Sequence, residues 1–409
     1  MIPFEEARSI VLQHAGPMPV TTVKLQELRG YCLARRVVAT CALPRFDNSA
    51  VDGYGVRLAD TAGASPESPV HLRVLATLPA GVHRSITLEA GTAVKIFTGG
   101  VVPRNADAVV MREEIEKAEG LVLQRPARPG ENIRRKGEEF QKRDEVLPAG
   151  TPVTPAVIGI LATFGYSAFR VYGKPRVAVI VTGDELVSPG KPIRRGQIYD
   201  SVSPSLAASL RNVGVTEVSM YRCKDTLNLL ERRLAGLMKK ADVILTTGGV
   251  SMGDYDFVKA ACEAVGVKTH FWQVAIKPGK PNYFGTYKDV SRRTKLVFGL
   301  PGNPVSVLVS FHQFVRPALL KMMGRRDVLP SVFPATLTVE MRKTTKRLEF
   351  VRGQAVFRDG QWMAAPTRGQ ESHMLGGLAV ANCFIHFPLE SEHLPPGEQV
   401  IIEMIDQLH

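Results

Sequence analysis

Val177-Ala178-Val179-Ile180-Val181-Thr182-Gly183-Asp184-Glu185 decides the fold of this chain. Its first five residues are apolar without alternation, so the segment has no solvent face. That texture fits a strand of a parallel sheet covered on both sides. Asp242–Thr246 and the stretch around Val297-Phe298 repeat it. Helix signals fill the intervals. Ser203-Pro204 opens a helix that Gly214 stops, and Asp225 and Asp254 stand where they can cap helices from Thr226 to Lys240 and through Ala264. Asn303-Pro304 supplies the cap and first turn of a long helix to Met323. Alternation of this kind from about 175 to 325 predicts a doubly wound α/β domain.

Ligands of such domains bind outside the carboxyl ends of the strands, where this chain keeps its unusual residues. Val181 leads into Thr182-Gly183-Asp184-Glu185, and Leu245 into Thr246-Thr247-Gly248-Gly249-Val250-Ser251-Met252-Gly253-Asp254-Tyr255-Asp256. Phe298 leads into Gly299-Leu300-Pro301-Gly302-Asn303-Pro304, about twenty residues after the turn Lys277-Pro278-Gly279-Lys280-Pro281. Glycines let backbone N–H groups approach an anion, and helix N-termini favour phosphate. Two lysines fixed by one rigid turn repel each other unless an anion joins them. The set predicts a pocket for a large phosphorylated anion, with carboxylates able to hold a metal. Asp254 and Asp256 also suit a helix start, and Asp225 is as good a cap as a site acid. Glu185, directly after a strand end, is harder to ascribe to solvation.

The chain has neither G-x-x-x-x-G-K-[ST] nor G-x-G-x-x-G, and neither H-E-x-x-H nor G-x-S-x-G. Their absence disfavours a P-loop kinase, a dinucleotide dehydrogenase, a zincin and an α/β-hydrolase. His270, His312 and His373 are isolated and read as structural.

At 409 residues the chain exceeds one compact core and suggests about two to four domains. Residues 1 to about 40 read as helical, with Phe4, Ala7, Ile10 and Val11 on one face. Between about 45 and 135, short apolar runs (Val70–Leu75, Ala93–Phe97, Ala108–Met111, Leu121–Leu123) alternate with Gly and Pro turns, as in a small β-rich domain. Thr154-Pro155 opens a helix, read as buried, that Gly165 can close. After about 330 the strand texture returns at Ala335–Val339, Leu348–Val351, Cys383–Phe387 and Gln399–Met404.

An apolar fraction of 44% with 22% charged residues is that of a soluble protein, and no run approaches the length of a membrane span. The acidic start Met1-Ile2-Pro3-Phe4-Glu5-Glu6 lacks a signal-peptide pattern. Five scattered cysteines argue for reduced thiols in a cytoplasm. The net charge of +13 calls for an acidic partner or substrate. Much of the excess lies between Arg125 and Arg143, without the interleaved aromatics of a single-strand groove. A small anionic ligand therefore fits better than nucleic acid.

Taken together, these motifs resemble the molybdopterin molybdenumtransferase family, bacterial MoeA and the gephyrin E-domain. The matching stretches are Asp47–Tyr54, Thr98–Gly100, Glu131–Arg134, Gly137–Glu139, Thr182–Leu186, Gly248–Asp256, Lys277–Pro281 and Gly299–Ser306. The resemblance runs from near residue 3 to the end. It implies a multidomain, elongated chain: a helical linker domain (1–44 and 140–172), a β-rich domain (45–139), the α/β domain (173–326) and a small β-barrel (327–409). It implies a homodimer that inserts molybdate into adenylylated molybdopterin, releasing AMP, with Mg²⁺ support.

Carried over residue by residue, Asp52 and Asp256 resemble the acids closest to the chemistry, supplied from opposite subunits. Glu185 and Asp225 resemble further site acids, Glu185 and Asp256 being the metal pair. Gly248, Gly249, Ser251, Lys277, Lys280, Pro301, Gly302 and Pro304 match the substrate pocket, and Arg352 and Ser372 match residues associated with molybdate. A molybdopterin adenylyltransferase and acceptor molybdoenzymes are the implied partners. Rival readings are the adenylyltransferase itself, whose fold resembles residues 175–325, and a non-catalytic scaffold of the gephyrin kind. Two departures stand out: Gly137-Glu138-Glu139 where the family has Gly-Glu-Asp, and Asp200-Ser201-Val202 where it has Asp-Ser-Asn.

Overall fold

A computed structural model describes residues 1–82, 84–118, 120–249, 257–290 and 292–405. The chain forms two compact units, one of residues 1–35, 150–158 and 168–409 and one of residues 36–149 and 159–167.

The larger unit contains the expected α/β domain. Its elements are β1 (Val177–Thr182), α1 (Val202–Val213), β2 (Val218–Cys223), α2 (Leu227–Met238), β3 (Val243–Thr247), α3 (Phe257–Ala264), β4 (Lys268–Gln273), β5 (Pro281–Lys288) and β6 (Thr294–Leu300). The strand order is β2-β1-β3-β6-β5-β4. The first four strands are parallel and the last two antiparallel. All six residues of β1 are buried. Val179 and Val181 face one core with Leu206 and Leu210 of α1, whereas Ala178 and Ile180 face another with Leu230 and Leu234 of α2. Both faces are covered, which is why the strand carries no polar alternation.

Helix α1 begins at Val202, where Asp200 accepts the Ser203 N–H at 2.9 Å, and it ends at Gly214 with φ 100°. The helix after β6 runs as α4 (Pro304–Ser310), a π-turn at Phe311–Val315, and α5 (Arg316–Met322). The widened turn ends two residues before Pro317, whose ring and missing N–H disrupt a regular α-ladder.

The last strands are β7 (Val332–Leu337), β8 (Leu348–Arg358), β9 (Gln361–Pro366), β10 (Cys383–Phe387) and β11 (Gln399–Met404). They pair in the order β8-β9-β7-β11-β10, and β10 returns to β8, closing a barrel. Leu337, Val351, Ile385 and Ile402 belong to its core. The sequence reading missed β9. Its signal was the Asp359-Gly360 hairpin turn, both residues at positive φ.

In the smaller unit, six strands pair in the order Ala108–Met111, Gly53–Val56, Thr92–Ile96, Val70–Leu78, Gly120–Leu123, Glu116–Ala118. Gly53–Val56 is a strand in a stretch whose sequence reads as a polar loop. A Cβ at Gly53 would lie 2.1 Å from the Val110 carbonyl oxygen, so only glycine permits that pairing.

Three local expectations need correction. The N-terminal helix spans only Phe4–His14, and Val20–Lys24 is a strand paired with Ala168–Tyr172. Pro17 and Pro19 hold the residues before them out of the helical region. The helix Pro155–Thr163, capped by the Thr154 hydroxyl, buries Val157 and Leu161 but exposes Ala156 and Ala162, so it is amphipathic rather than buried. Thr226, not Asp225, occupies the N-cap of α2, and it makes no side-chain capping bond. All five cysteines are unpaired. Among the described residues no helix is long and apolar enough to cross a membrane.

Candidate functional site

A cavity of about 460 Å³ opens at the carboxyl ends of β3 and β6, with the barrel on its other side. Gly248 and Gly249 follow β3, and Pro301 and Gly302 follow β6; Pro304 comes two residues later as the first residue of α4. Lys277 and Lys280 enter from their turn, while Arg347, Glu371 and Ser372 reach in from the barrel.

Gly248 has to be glycine. Its φ is +84°, and a Cβ would lie 2.7 Å from Thr182 Oγ1 and 3.0 Å from the Thr182 carbonyl oxygen. Gly248→Ala is expected to lose about 1–3 kcal/mol of stability in urea denaturation and to weaken anion binding. Gly302→Ala is the control. Its Cβ would meet only Gly248 Cα at 3.7 Å, so its stability should stay within about 0.5 kcal/mol of the parent.

The lysine turn is tied down at both ends. Ile276 and Lys277 pair in parallel with Leu348 and Glu349 of β8. Asn282, buried, donates to the Gly279 carbonyl and, at 2.9 Å, to Ser310 Oγ on α4. Asn303 occupies the N-cap of α4 as expected but makes no side-chain capping bond. Its Nδ2 donates to Ser372 Oγ at 2.8 Å, and Val305 N–H reaches the Ser372 carbonyl at 3.3 Å. Ser372 is thereby fixed against the start of α4.

Arg352 is fully buried and does not line the cavity. Its Nη2 donates to the carbonyls of Gly369 (2.7 Å) and Glu371 (3.4 Å), and Gln370 Oε1 accepts its N–H at 3.1 Å. It holds the segment that presents Glu371 and Ser372. Burial, opposed by the charge of Glu371, lowers the guanidinium pKa from its ordinary value.

The acids are dispersed. Glu185 is exposed in the turn after β1, and Asp225 is half-buried beyond β2; neither lines the cavity. Burial raises the Cys223 thiol between these strand ends, and the charges of Asp225 and Asp184 raise it further. Asp52 belongs to the smaller unit. Its Oδ1 accepts the Thr98 N–H and hydroxyl, each at 2.8 Å, which holds the carboxyl below its usual pKa. Ser251 and Asp256 lie outside the described residues, as does Asp254. Among the described residues no three His, Cys, Asp or Glu side chains converge as a metal centre.

Of the two departures, Val202 is buried in the core, where an Asn at the same position would need polar partners. Glu139 is exposed in the smaller unit. His270 and His312 take the structural roles expected, on Thr286 Oγ1 (2.8 Å) and on Glu403 (2.9 Å). Arg347, Asn282 and Glu371 gave no signal in the sequence, because each reaches the site only through a distant element.

Family models match three segments: "MoeA N-terminal region (domain I and II)" over residues 2–165, "Probable molybdopterin binding domain" over 178–321, and "MoeA C-terminal region (domain IV)" over 334–405. A molybdopterin molybdenumtransferase from Haemophilus influenzae is 35% identical over 100% of both chains. The chain belongs to the molybdopterin molybdenumtransferase family. A member from Staphylococcus aureus is 34% identical over 98% of this chain and 95% of its own. The crystal structure of a molybdopterin biosynthesis MoeA protein from Pyrococcus horikoshii superposes with a TM-score of 0.83, at 29% identity, over 99% of this chain and 100% of the other. The α/β domain, the β-rich region and the terminal barrel therefore follow the family's architecture.

Proposed function

We propose that this chain is a molybdopterin molybdenumtransferase, inserting molybdate into adenylylated molybdopterin with release of AMP. The cavity carries the reading. Glycine turns and two lysines face it from the α/β side, and Arg347 and Ser372 from the barrel side. Cleaving the phosphate link of the adenylylated pterin develops charge on phosphoryl oxygens, and preorganised ammonium and N–H groups stabilise that charge. Guanidinium and hydroxyl donors suit molybdate, a dianionic oxyanion. In this reading a molybdate oxygen attacks the adenylyl phosphorus, and the phosphoanhydride bond breaks with the pterin phosphate leaving. The Mo–O bond then breaks as pterin sulfurs replace oxygen on molybdenum, AMP keeps that oxygen, and no carboxylate of the protein is modified. A pterin or adenylate recovered covalently on a carboxylate would refute that step.

Carboxylate oxygens are the donors that Mg²⁺ prefers, and Glu185 and Asp256 would hold it. When bound, the ion neutralises phosphoryl oxygens. In this reading Asp52 acts from the second subunit of a homodimer, its carboxyl kept ionised by Thr98. A cytoplasmic location accords with five free thiols. A molybdopterin adenylyltransferase would supply the substrate and acceptor molybdoenzymes would take the product.

The test is AMP release from adenylylated molybdopterin by purified protein, with and without molybdate. Release should require molybdate and fall on chelation of Mg²⁺. Binding without release would mark a scaffold, and no binding would refute the reading.

A further inference from the structure

Behind the cationic wall of the cavity stands an acid. Glu349 is mostly buried, with its side chain 10% exposed, and its Oε2 lies 3.4 Å from Lys277 Nζ. Its Oε1 accepts the Thr345 hydroxyl at 2.5 Å. The parallel pairing of Lys277 with Glu349 sets the two side chains side by side. Lys343, buried nearby, donates its ammonium to the carbonyls of Arg347 (2.7 Å) and Phe387 (3.4 Å) and to that of Pro388. Burial lowers the Lys343 pKa while the charge of Glu349 works to raise it. The carboxylate is thus built into the barrel rather than left on a mobile surface side chain.

For anion affinity alone this is a costly arrangement. An oxyanion that approaches Lys277 must share the ammonium with a fixed negative charge.

We propose that Glu349 is a positioning and specificity-determining residue that acts through Lys277, detuning the lysine side of the cavity for simple dianions; molybdate, assigned above to Arg347 and Ser372, does not depend on that side. The proposal rests on the oxyanion reading given above. A small ion such as sulfate or phosphate depends on the lysines and must compete with Glu349 for the Lys277 ammonium. A larger phosphorylated ligand also engages the glycine turn at Gly248, Arg347 and Ser372, so it loses proportionately less. The carboxylate discriminates by charge and extent, and it keeps abundant oxyanions from occupying the site.

Calorimetric titration of the full chain with sulfate, phosphate and molybdate tests this. Glu349→Gln, isosteric and still able to accept from Thr345, should bind sulfate and phosphate about tenfold more tightly. In a Lys277→Met background the same change should alter affinity by less than about twofold, because its route is gone. Glu349→Asp draws the charge back from Lys277 and should give an intermediate gain; it serves if the Gln variant does not fold. Measurable binding that is unchanged in both Glu349 variants overturns this inference alone, as does an equal gain without Lys277. If no oxyanion binds the parent chain or either Glu349 variant, the oxyanion reading falls and this inference falls with it.

Discussion

Lys277→Met is expected to lower molybdate-dependent AMP release about 10²-fold at saturating substrate. The ammonium is the group that the Lys277–Pro281 turn and the pairing with β8 together place on the cavity wall. Methionine keeps much of the side-chain bulk and removes only the charge. It also leaves Glu349 mostly buried without its cation, which should cost about 1 kcal/mol in urea denaturation. The double variant Lys277→Met, Glu349→Gln separates the two effects. Stability should return, since no unpaired acid remains, whereas turnover should not. Recovery of turnover in the double variant would mean that Lys277 serves only to neutralise Glu349.

Glu403→Leu should produce the largest loss of stability, about 3–5 kcal/mol. Glu403 is almost wholly buried on β11. Its Oε1 lies 2.9 Å from His312 Nε2 and accepts from Gln313 Nε2 at 2.6 Å, and its Oε2 lies 3.2 Å from His386 Nε2. One carboxylate thereby joins the π-turn after α4 to two barrel strands. Leucine would leave these donors buried without an acceptor. Burial alone would raise the carboxyl pKa, but the two histidines outweigh it and bring it to about 2.

A pKa depressed in the folded state gives stability that is complete above the ordinary carboxyl value near 4.5. It is lost as pH falls through that value towards 2. The displacement corresponds to about 3 kcal/mol. Parent and Glu403→Gln should therefore differ most near neutral pH and converge as pH drops from about 5 to about 3, read by urea denaturation at each pH. A constant gap across that range would refute the ion-pair account.

What the sequence determined was local. The unbroken apolar run at Val177–Val181 already required cover on both sheet faces, and the cores on either side supply it. The turns at Gly248, Lys277–Pro281 and Pro301–Gly302 could be read as anion-binding because short-range backbone geometry and charge are written in neighbouring residues. The same reading failed where a breaker was overlooked, as at Pro17 and Pro19, or where a hairpin signal was passed over, as at Asp359-Gly360.

Tertiary structure decided which of these groups meet. Barrel closure brings Glu349 beside Lys277 and Ser372 beside Asn303, pairs separated by about seventy residues. It turns Arg352 inward to hold the segment carrying Ser372, although the family resemblance implied a direct molybdate contact. It also joins His312 to Glu403 across ninety-one residues. Periodicity and turn chemistry fix the elements, since those depend on neighbours along the chain. Strand register and side-chain burial fix the partners, since those depend on how separate elements pack.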